Sequence, residues 1–180
     1  MKKERNNMVI TRLDKKEYKG KKFILNYSTK GYYDIEKQEQ SFIVTYKPFD
    51  EKKDISIEDE YFSDWLEAPI AFGAFENETL LGFIEGTLEK WNNRYRITNL
   101  CIFDKNARHK GIGTQLMNTI LEEAKLSHAR MAVLETQSSN EKAIAFYRKQ
   151  GFEMIGFDLY AYTNHDPKDH SVRIEMGRFL

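Results

Sequence analysis

Arg108-His109-Lys110-Gly111-Ile112-Gly113-Thr114 is the stretch on which the reading of this chain turns. It lies between an apolar run, residues 97–103, and a helical pattern that extends to Lys125. The order is strand, glycine loop, helix. Glycine at 111 and 113 lets the backbone turn sharply and approach a ligand with no Cβ in the way. The helix that follows points its unpaired N–H groups, and the positive end of its dipole, back at the loop. Such a terminus holds a phosphate or pyrophosphate. Arg108, His109 and Lys110 add positive side chains and Thr114 adds a hydroxyl. A G-x-G on its own is also a common structural turn, so the heptapeptide alone leaves both readings open. Two other nucleotide-binding patterns fail. No Lys-Ser or Lys-Thr follows Gly113, as a Walker loop requires, and Leu116 stands where a dinucleotide fingerprint needs its third glycine.

Outward from the loop, the helix carries Ile112, Leu116, Met117, Ile120, Leu121 and Ala124 as one apolar stripe. Residues 131–135 read as a short buried strand, so strand, helix and strand imply a right-handed parallel crossover. Asn140 reads as an N-cap, followed by a helix through Ala143, Ile144, Phe146 and Tyr147 that stops at Gly151, a C′ glycine. Residues 152–162 and 172–179 read as strands. On the other side, residues 69–76 and 80–90 form a hairpin around Asn77-Glu78-Thr79, and Trp91-Asn92-Asn93 makes the next turn. Alternation along residues 95–103 puts Tyr95, Ile97, Asn99 and Cys101 on one face.

Toward the N-terminus the pattern weakens. Residues 1–20 read as a poorly ordered segment, leaving 21–180 as one domain. Residues 41–46 form a strand stopped by Pro48. The acidic stretch 49–60 reads as a loop or irregular helical piece. Asp59 to Glu67 has Tyr61, Phe62, Trp65 and Leu66 near helical spacing, which suggests a short lid helix. The resulting class is α/β (α+β), with a mixed, mostly antiparallel twisted sheet.

Composition bounds the function. Lys plus Arg and Asp plus Glu both total 28 in 180 residues, so no bulk charge draws nucleic acid or a membrane surface. Cys101 is the only cysteine, which excludes an intrachain disulfide and a cysteine metal cluster. The four histidines show no ligand spacing, and no metal is expected. Met1 to Asn7 is followed by no apolar run of ~15 residues, so neither a signal peptide nor a membrane span is expected, and the cytoplasm is the default.

Four features stand in order: a strand; Arg108-x-x-Gly111-x-Gly113 with its helix; a short strand ending Glu135-Thr136-Gln137; and Asn140-x-x-Ala143-x-x-Phe146-Tyr147-x-x-x-Gly151-Phe152. Together they resemble the acetyl-CoA-binding core of the GNAT N-acetyltransferase superfamily over residues 70–162. Trp91-Asn92, Leu134-Glu135-Thr136-Gln137 and Asp158-Leu159-Tyr160 resemble its streptothricin acetyltransferase branch.

The resemblance implies a GNAT fold with a central splayed parallel strand pair and flanking helices. It implies acetyl-CoA as co-substrate, with the backbone of Arg108, His109, Lys110, Gly111, Ile112, Gly113 and Thr114 on the pyrophosphate. Main-chain groups of Cys101, Ile102 and Phe103 would bond pantetheine and the thioester oxygen, as an oxyanion hole does. Asn140 would contact pantetheine while capping its helix. Tyr147 matches the position that protonates the departing thiolate; from periodicity alone it reads as a core tyrosine.

An acceptor amine with a pKa of about 10.4 must lose a proton, at about 4.6 kcal/mol at pH 7, and a carboxylate usually helps. Streptothricin-type enzymes carry an Ile-Glu-Asp run in the strand before the loop. The matching positions here read Thr98-Asn99-Leu100, without either carboxylate. Glu85, Glu135 and Asp64 remain as acids, with Asn99 and Trp65 as further substrate-side groups. The expected activity is acetyl transfer to a primary amine, of a streptothricin-like or other small cation. A protein amine, or a non-catalytic acetyl-CoA-binding module, stays open, as does a homodimer.

Overall fold

The computed structural model describes residues 8–103 and 110–180. Arg108 and His109 of the glycine loop lie outside the described residues. In chain order the elements are β1 (Val9–Arg12), α1 (Lys15–Tyr18), β2 (Lys22–Lys37), β3 (Phe42–Glu60), β4 (Ile70–Glu76), β5 (Thr79–Glu89), β6 (Arg94–Ile102), α2 (Ile112–Leu126), β7 (Met131–Gln137), α3 (Glu141–Lys149), β8 (Glu153–Asp158), α4 (Asp166–Asp169) and β9 (Arg173–Phe179). They belong to two compact units. One comprises Met1–Leu25, Ile57–Ala132 and Phe179–Leu180; the other comprises Asn26–Ser56 and Val133–Arg178.

In the first unit the strands lie in the order β1-β4-β5-β6, all antiparallel neighbours, with the start of β7 next. The passage from β6 through α2 to β7 makes the parallel pair of an otherwise mostly antiparallel sheet. The hairpin of β4 and β5 closes on Asn77 and Glu78, with φ of 47° and 66°. Two consecutive positive-φ residues match the right-handed twist of the strands they join. All six residues of the α2 stripe are buried, each of the large ones contributing about 1.5–3 kcal/mol of apolar burial. A second core cluster gathers Leu13, Phe23, Tyr61, Phe62, Ala71, Phe83 and Cys101. Phe23 and Phe83 meet edge to face there, with ring centroids 4.8 Å apart.

Three stretches differ from the sequence reading. Residues 9–20, expected as part of a poorly ordered segment, form β1 and α1, with Leu13 in the core. Asp14 caps α1, its carboxylate accepting from the Lys16 N–H at 2.8 Å. Residues 49–60, expected as a loop or helical piece, extend β3 well past Pro48. The ribbon of β2 and β3 is a separate two-stranded sheet, and a proline is tolerated where no ladder bond needs its N–H. Most of β3 is exposed, so no alternation marks it as a strand. Of residues 59–67, expected as a short lid helix, 59 and 60 end β3 and 61–67 hold no helix, only turns and bends; Tyr61, Phe62 and Leu66 are buried, and Trp65 is 72% exposed.

In the second unit β9 lies between β7 and β8. The end of α3 follows from Gly151, at φ 83°. The Phe152 N–H bonds the Tyr147 carbonyl and the Gly151 N–H bonds the Arg148 carbonyl, each at 3.0 Å. That is the double closure of a Schellman motif. Among the described residues no helix is long and apolar enough to cross a membrane.

Candidate active site

The first component is the start of α2. Gly111 caps the helix at φ 82°, a left-handed backbone that side chains with a Cβ resist. Among the described residues no side chain caps the helix, and its first turn holds no acid. A Cβ at Gly111 would meet nothing within 4 Å, and Lys110 beside it is exposed. Ile112 is buried and anchors the first turn from below. A helix start with a left-handed glycine cap and no acid in its first turn is the arrangement that accepts an anion.

The second component is Glu85, fully buried in β5. The pairing of β5 with β6 shifts register here: Glu85 faces Asn99, while Gly86 faces Ile97, so Thr98 is an extra residue on β6. A bulge of this kind re-aims side chains. It also switches faces along β6. Cross-strand partners share a face, so Asn99 and Cys101 go with Glu85 and Phe83, and Tyr95 and Ile97 go with Leu88 and Gly86. The expected single face of Tyr95, Ile97, Asn99 and Cys101 is therefore split.

The bulge lets one carboxylate collect several donors. Glu85 Oε2 accepts the Phe62 N–H at 2.8 Å, and Oε1 accepts the Thr98 hydroxyl at 2.9 Å. Burial holds the Glu85 carboxyl above its usual range, opposed by the bonds from Phe62 and Thr98 and reinforced by the charge of Asp59. In the orientation that satisfies its neighbours, the Asn99 amide donates to Asp59 Oδ2 and to the Thr98 carbonyl, each at 3.2 Å. The other end of the amide lies 3.5 Å from Glu85 Oε1. Tyr61 also interacts with Glu85 and Cys101; burial pushes its phenol well above the ordinary value.

Cys101 is buried among Phe83, Tyr61 and Phe103 and is a core residue. Ile102 ends β6, and the Phe103 N–H bonds the Leu81 carbonyl at 2.9 Å, keeping the chain beside β5 past the strand. Gly113 and Thr114 follow Ile112 in the first turn of α2.

In the second unit, Asn140 caps α3, its side chain accepting from the Ala143 N–H at 3.4 Å. Tyr147 is 9% exposed, with ring centroids 5.6 Å from Phe146 and 6.2 Å from Phe152. Glu135 is exposed on β7; it accepts from the Tyr162 hydroxyl at 3.5 Å and lies 3.7 Å from the Arg173 guanidinium. Asp64, back in the first unit, is exposed and pairs with Lys19 at 2.6 Å, which holds its carboxyl below the usual range.

Of the residues named from sequence, Glu85 and Asn99 are thus brought together. Asp64 is engaged by a surface lysine instead. Asp59, Phe62 and Thr98 are members of the Glu85 cluster that sequence reasoning missed. Asp59 stood at the start of a stretch that reads as a helix, and the roles of Phe62 and Thr98 depend on a positive φ and on the pairing at the Glu85–Gly86 bulge. Among the described residues no group of three or more metal-ligating side chains converges.

Residues 30–152 match the acetyltransferase (GNAT) family, and the chain belongs to that family. It is similar to streptothricin acetyltransferase A of Bacillus subtilis (strain 168), with 36% identity over 74 residues, 41% of this chain and 42% of that protein. The match thus spans less than half of that relative's length. It is 31% identical to N-alpha-acetyltransferase 50 of Danio rerio over 123 residues, 66% of this chain and 72% of that protein. A structure from Bacillus anthracis str. Ames, solved in complex with acetyl coenzyme A, has the same fold, with a TM-score of 0.69 and 23% identity over 97% of this chain and 98% of that one.

Proposed function

We propose that the chain is an N-acetyltransferase that moves the acetyl group of acetyl-CoA directly to a primary amine of a small cationic acceptor. The observation that carries this reading is the N-terminus of α2, with Gly111 in the left-handed region and no acid in the first turn. In a member of this family, that feature suits the coenzyme's diphosphate. The main-chain N–H groups from Lys110 to Thr114 would hold it, joined by the loop residues Arg108 and His109. Cys101, Ile102 and Phe103 would serve pantetheine and the thioester oxygen through their main chain, and Asn140 would add a polar contact.

The chemistry needs two proton transfers. The amine nitrogen bonds to the thioester carbon, the C–S bond breaks, and the departing thiolate takes a proton from Tyr147. A phenol near pKa 10 giving to a thiol near 8.5 is uphill by about 2 kcal/mol, a modest barrier beside the bond changes. The amine's own proton goes to a carboxylate. Glu85, Glu135 and Asp64 are the acids that the sequence offered, and full burial keeps Glu85 from touching an acceptor directly. Asn99 and Trp65 lie on the acceptor side of this reading.

The likeness to streptothricin acetyltransferase A favours a small polyamine-like acceptor and a role in antibiotic resistance. The longer match to N-alpha-acetyltransferase 50 favours a second reading, a protein or peptide amine. A cytoplasmic enzyme, working as a monomer or a homodimer, fits either. Thiol release from acetyl-CoA with a panel of small amines and peptides tests the proposal, read with the acceptor's mass gain of one acetyl group. Release that depends on the amine, with no acetylated enzyme, is expected. No release with any amine overturns the catalytic reading.

A further inference from the structure

We infer that Asp59 is the carboxylate that receives the acceptor's ammonium group and takes its proton, with Asn99 and the buried Glu85 as the residues that position it. The inference rests on the acetyltransferase reading and names the base that the reading leaves open.

Thr98, Asn99 and Leu100 carry no carboxylate. Two carboxylates reach this segment from neighbouring elements instead: Glu85 from the paired strand β5, and Asp59 from the end of β3. Their exposures divide the work between them. Glu85 has none and cannot meet a substrate, whereas Asp59 is exposed.

The amide of Asn99 links the two carboxyl groups. An amide has an oxygen at one end and two donors at the other. With its nitrogen toward Asp59 Oδ2, Asn99 turns its oxygen toward Glu85 Oε1. That oxygen can accept from the Glu85 carboxyl when the acid carries its proton. Burial, which favours the neutral acid, works in the same direction. With that proton in place the bonds run one way, from the Glu85 O–H to the Asn99 oxygen and from the Asn99 N–H to Asp59 Oδ2. The Glu60 N–H fixes the other oxygen, Asp59 Oδ1, at 2.8 Å. A carboxylate accepts about four hydrogen bonds, so Asp59 is oriented on both oxygens with capacity left for an ammonium group. Tyr61 and Cys101 also face this cluster, and Tyr61 stays neutral at working pH.

The proton balance closes. The acceptor's ammonium gives one proton to Asp59, which later releases it to solvent. The neutral nitrogen attacks, and its second proton leaves as the tetrahedral adduct collapses. That proton offsets the one that Tyr147 gives to the thiolate. The net products are the acetylated amine, free thiol and one proton.

The test compares kcat/KM from about pH 6 to 10 for wild type, Asp59→Asn, Asp59→Glu and Glu85→Gln, using an amine that the wild type acetylates. Coenzyme A affinity by calorimetry serves as the control for folding. Asp59→Asn should lose about 10²-fold near pH 7, and the gap should close toward the amine pKa of about 10.4. Asp59→Glu should recover part of the loss. Glu85→Gln, which mimics the neutral acid, should stay within several-fold of wild type. An Asp59→Asn profile that overlies wild type, or that is lowered by one factor at every pH, overturns the inference and leaves the acetyltransferase reading intact. A wild type that acetylates no amine overturns both.

Discussion

The Phe62 N–H donates to Glu85 Oε2 across 2.8 Å, tying a left-handed turn residue at the end of β3 to a carboxylate inside β5. Phe62 is 2% exposed, so its N–H has no water to turn to if the carboxylate is removed. Glu85→Ala should therefore cost about 1–3 kcal/mol from the stranded donor, with a further cavity penalty. Glu85→Gln keeps an oxygen for Phe62 and should cost less than about 1 kcal/mol. Urea unfolding at pH 7 measures both, and equal losses for the two variants would show that the bond to Phe62 contributes nothing.

The same carboxyl predicts a pH dependence. Its folded pKa is raised above the ordinary 4.5, chiefly by burial. Over the window above 4.5 the folded state binds the proton more tightly than the unfolded state does. Stability from this group is thus full below 4.5 and is lost as pH rises through the folded value. Glu85→Gln carries no such proton, so its stability relative to wild type should rise with pH from about 4.5 upward. Unfolding free energies of the pair at several pH values check this; a difference that is flat or falls with pH contradicts it.

Tyr95 presents the reverse case. It is 1% exposed, and its hydroxyl has no hydrogen-bond partner among the described residues. Burial pushes its phenol well above the ordinary value. Removing an unsatisfied polar atom while keeping the ring relieves a desolvation cost. Tyr95→Phe should be neutral or stabilising by up to about 1 kcal/mol, read as an unchanged or raised midpoint in thermal unfolding. A loss above about 1 kcal/mol would reveal a partner for the hydroxyl.

His170 gives the second unit its own pH response. Its ring stacks on Tyr32 at 3.7 Å between centroids and lies 5.4 Å from Phe49. Burial lowers its pKa below 6.5, and Lys53 and Lys47 push the same way against Asp34 and Asp169. The unfolded chain then binds more protons, so this contribution is present above 6.5 and is lost as pH falls through the folded value. His170 sits at φ 57°, a conformation that asparagine tolerates. His170→Asn should flatten the fall in stability below about pH 6.5. An unchanged fall would assign it to other groups.

What could be read in advance follows the physics of each signal. The stripe from Ile112 to Ala124, the cap at Asn140 and the stop at Gly151 are local, and each stands where the sequence placed it. The ribbon of β2 and β3 was illegible beyond Pro48 because most of β3 is exposed and lacks a buried face to imprint alternation. Asn99 and Glu85 were both named as candidates, and Gly86 is a local sign of the bulge beside them, but their meeting depends on strand pairing, which sets Thr98 as the extra residue. Asp59 was out of reach because its partner is 40 residues away, across a turn that reads as a helix.

Coenzyme binding is tested most directly by one titration, purified protein with coenzyme A in a calorimeter. A single saturable site per chain is expected, weakened when Gly111→Ala forces a Cβ into the φ 82° cap and disturbs the start of α2. Heats no larger than dilution for the wild type would contradict it.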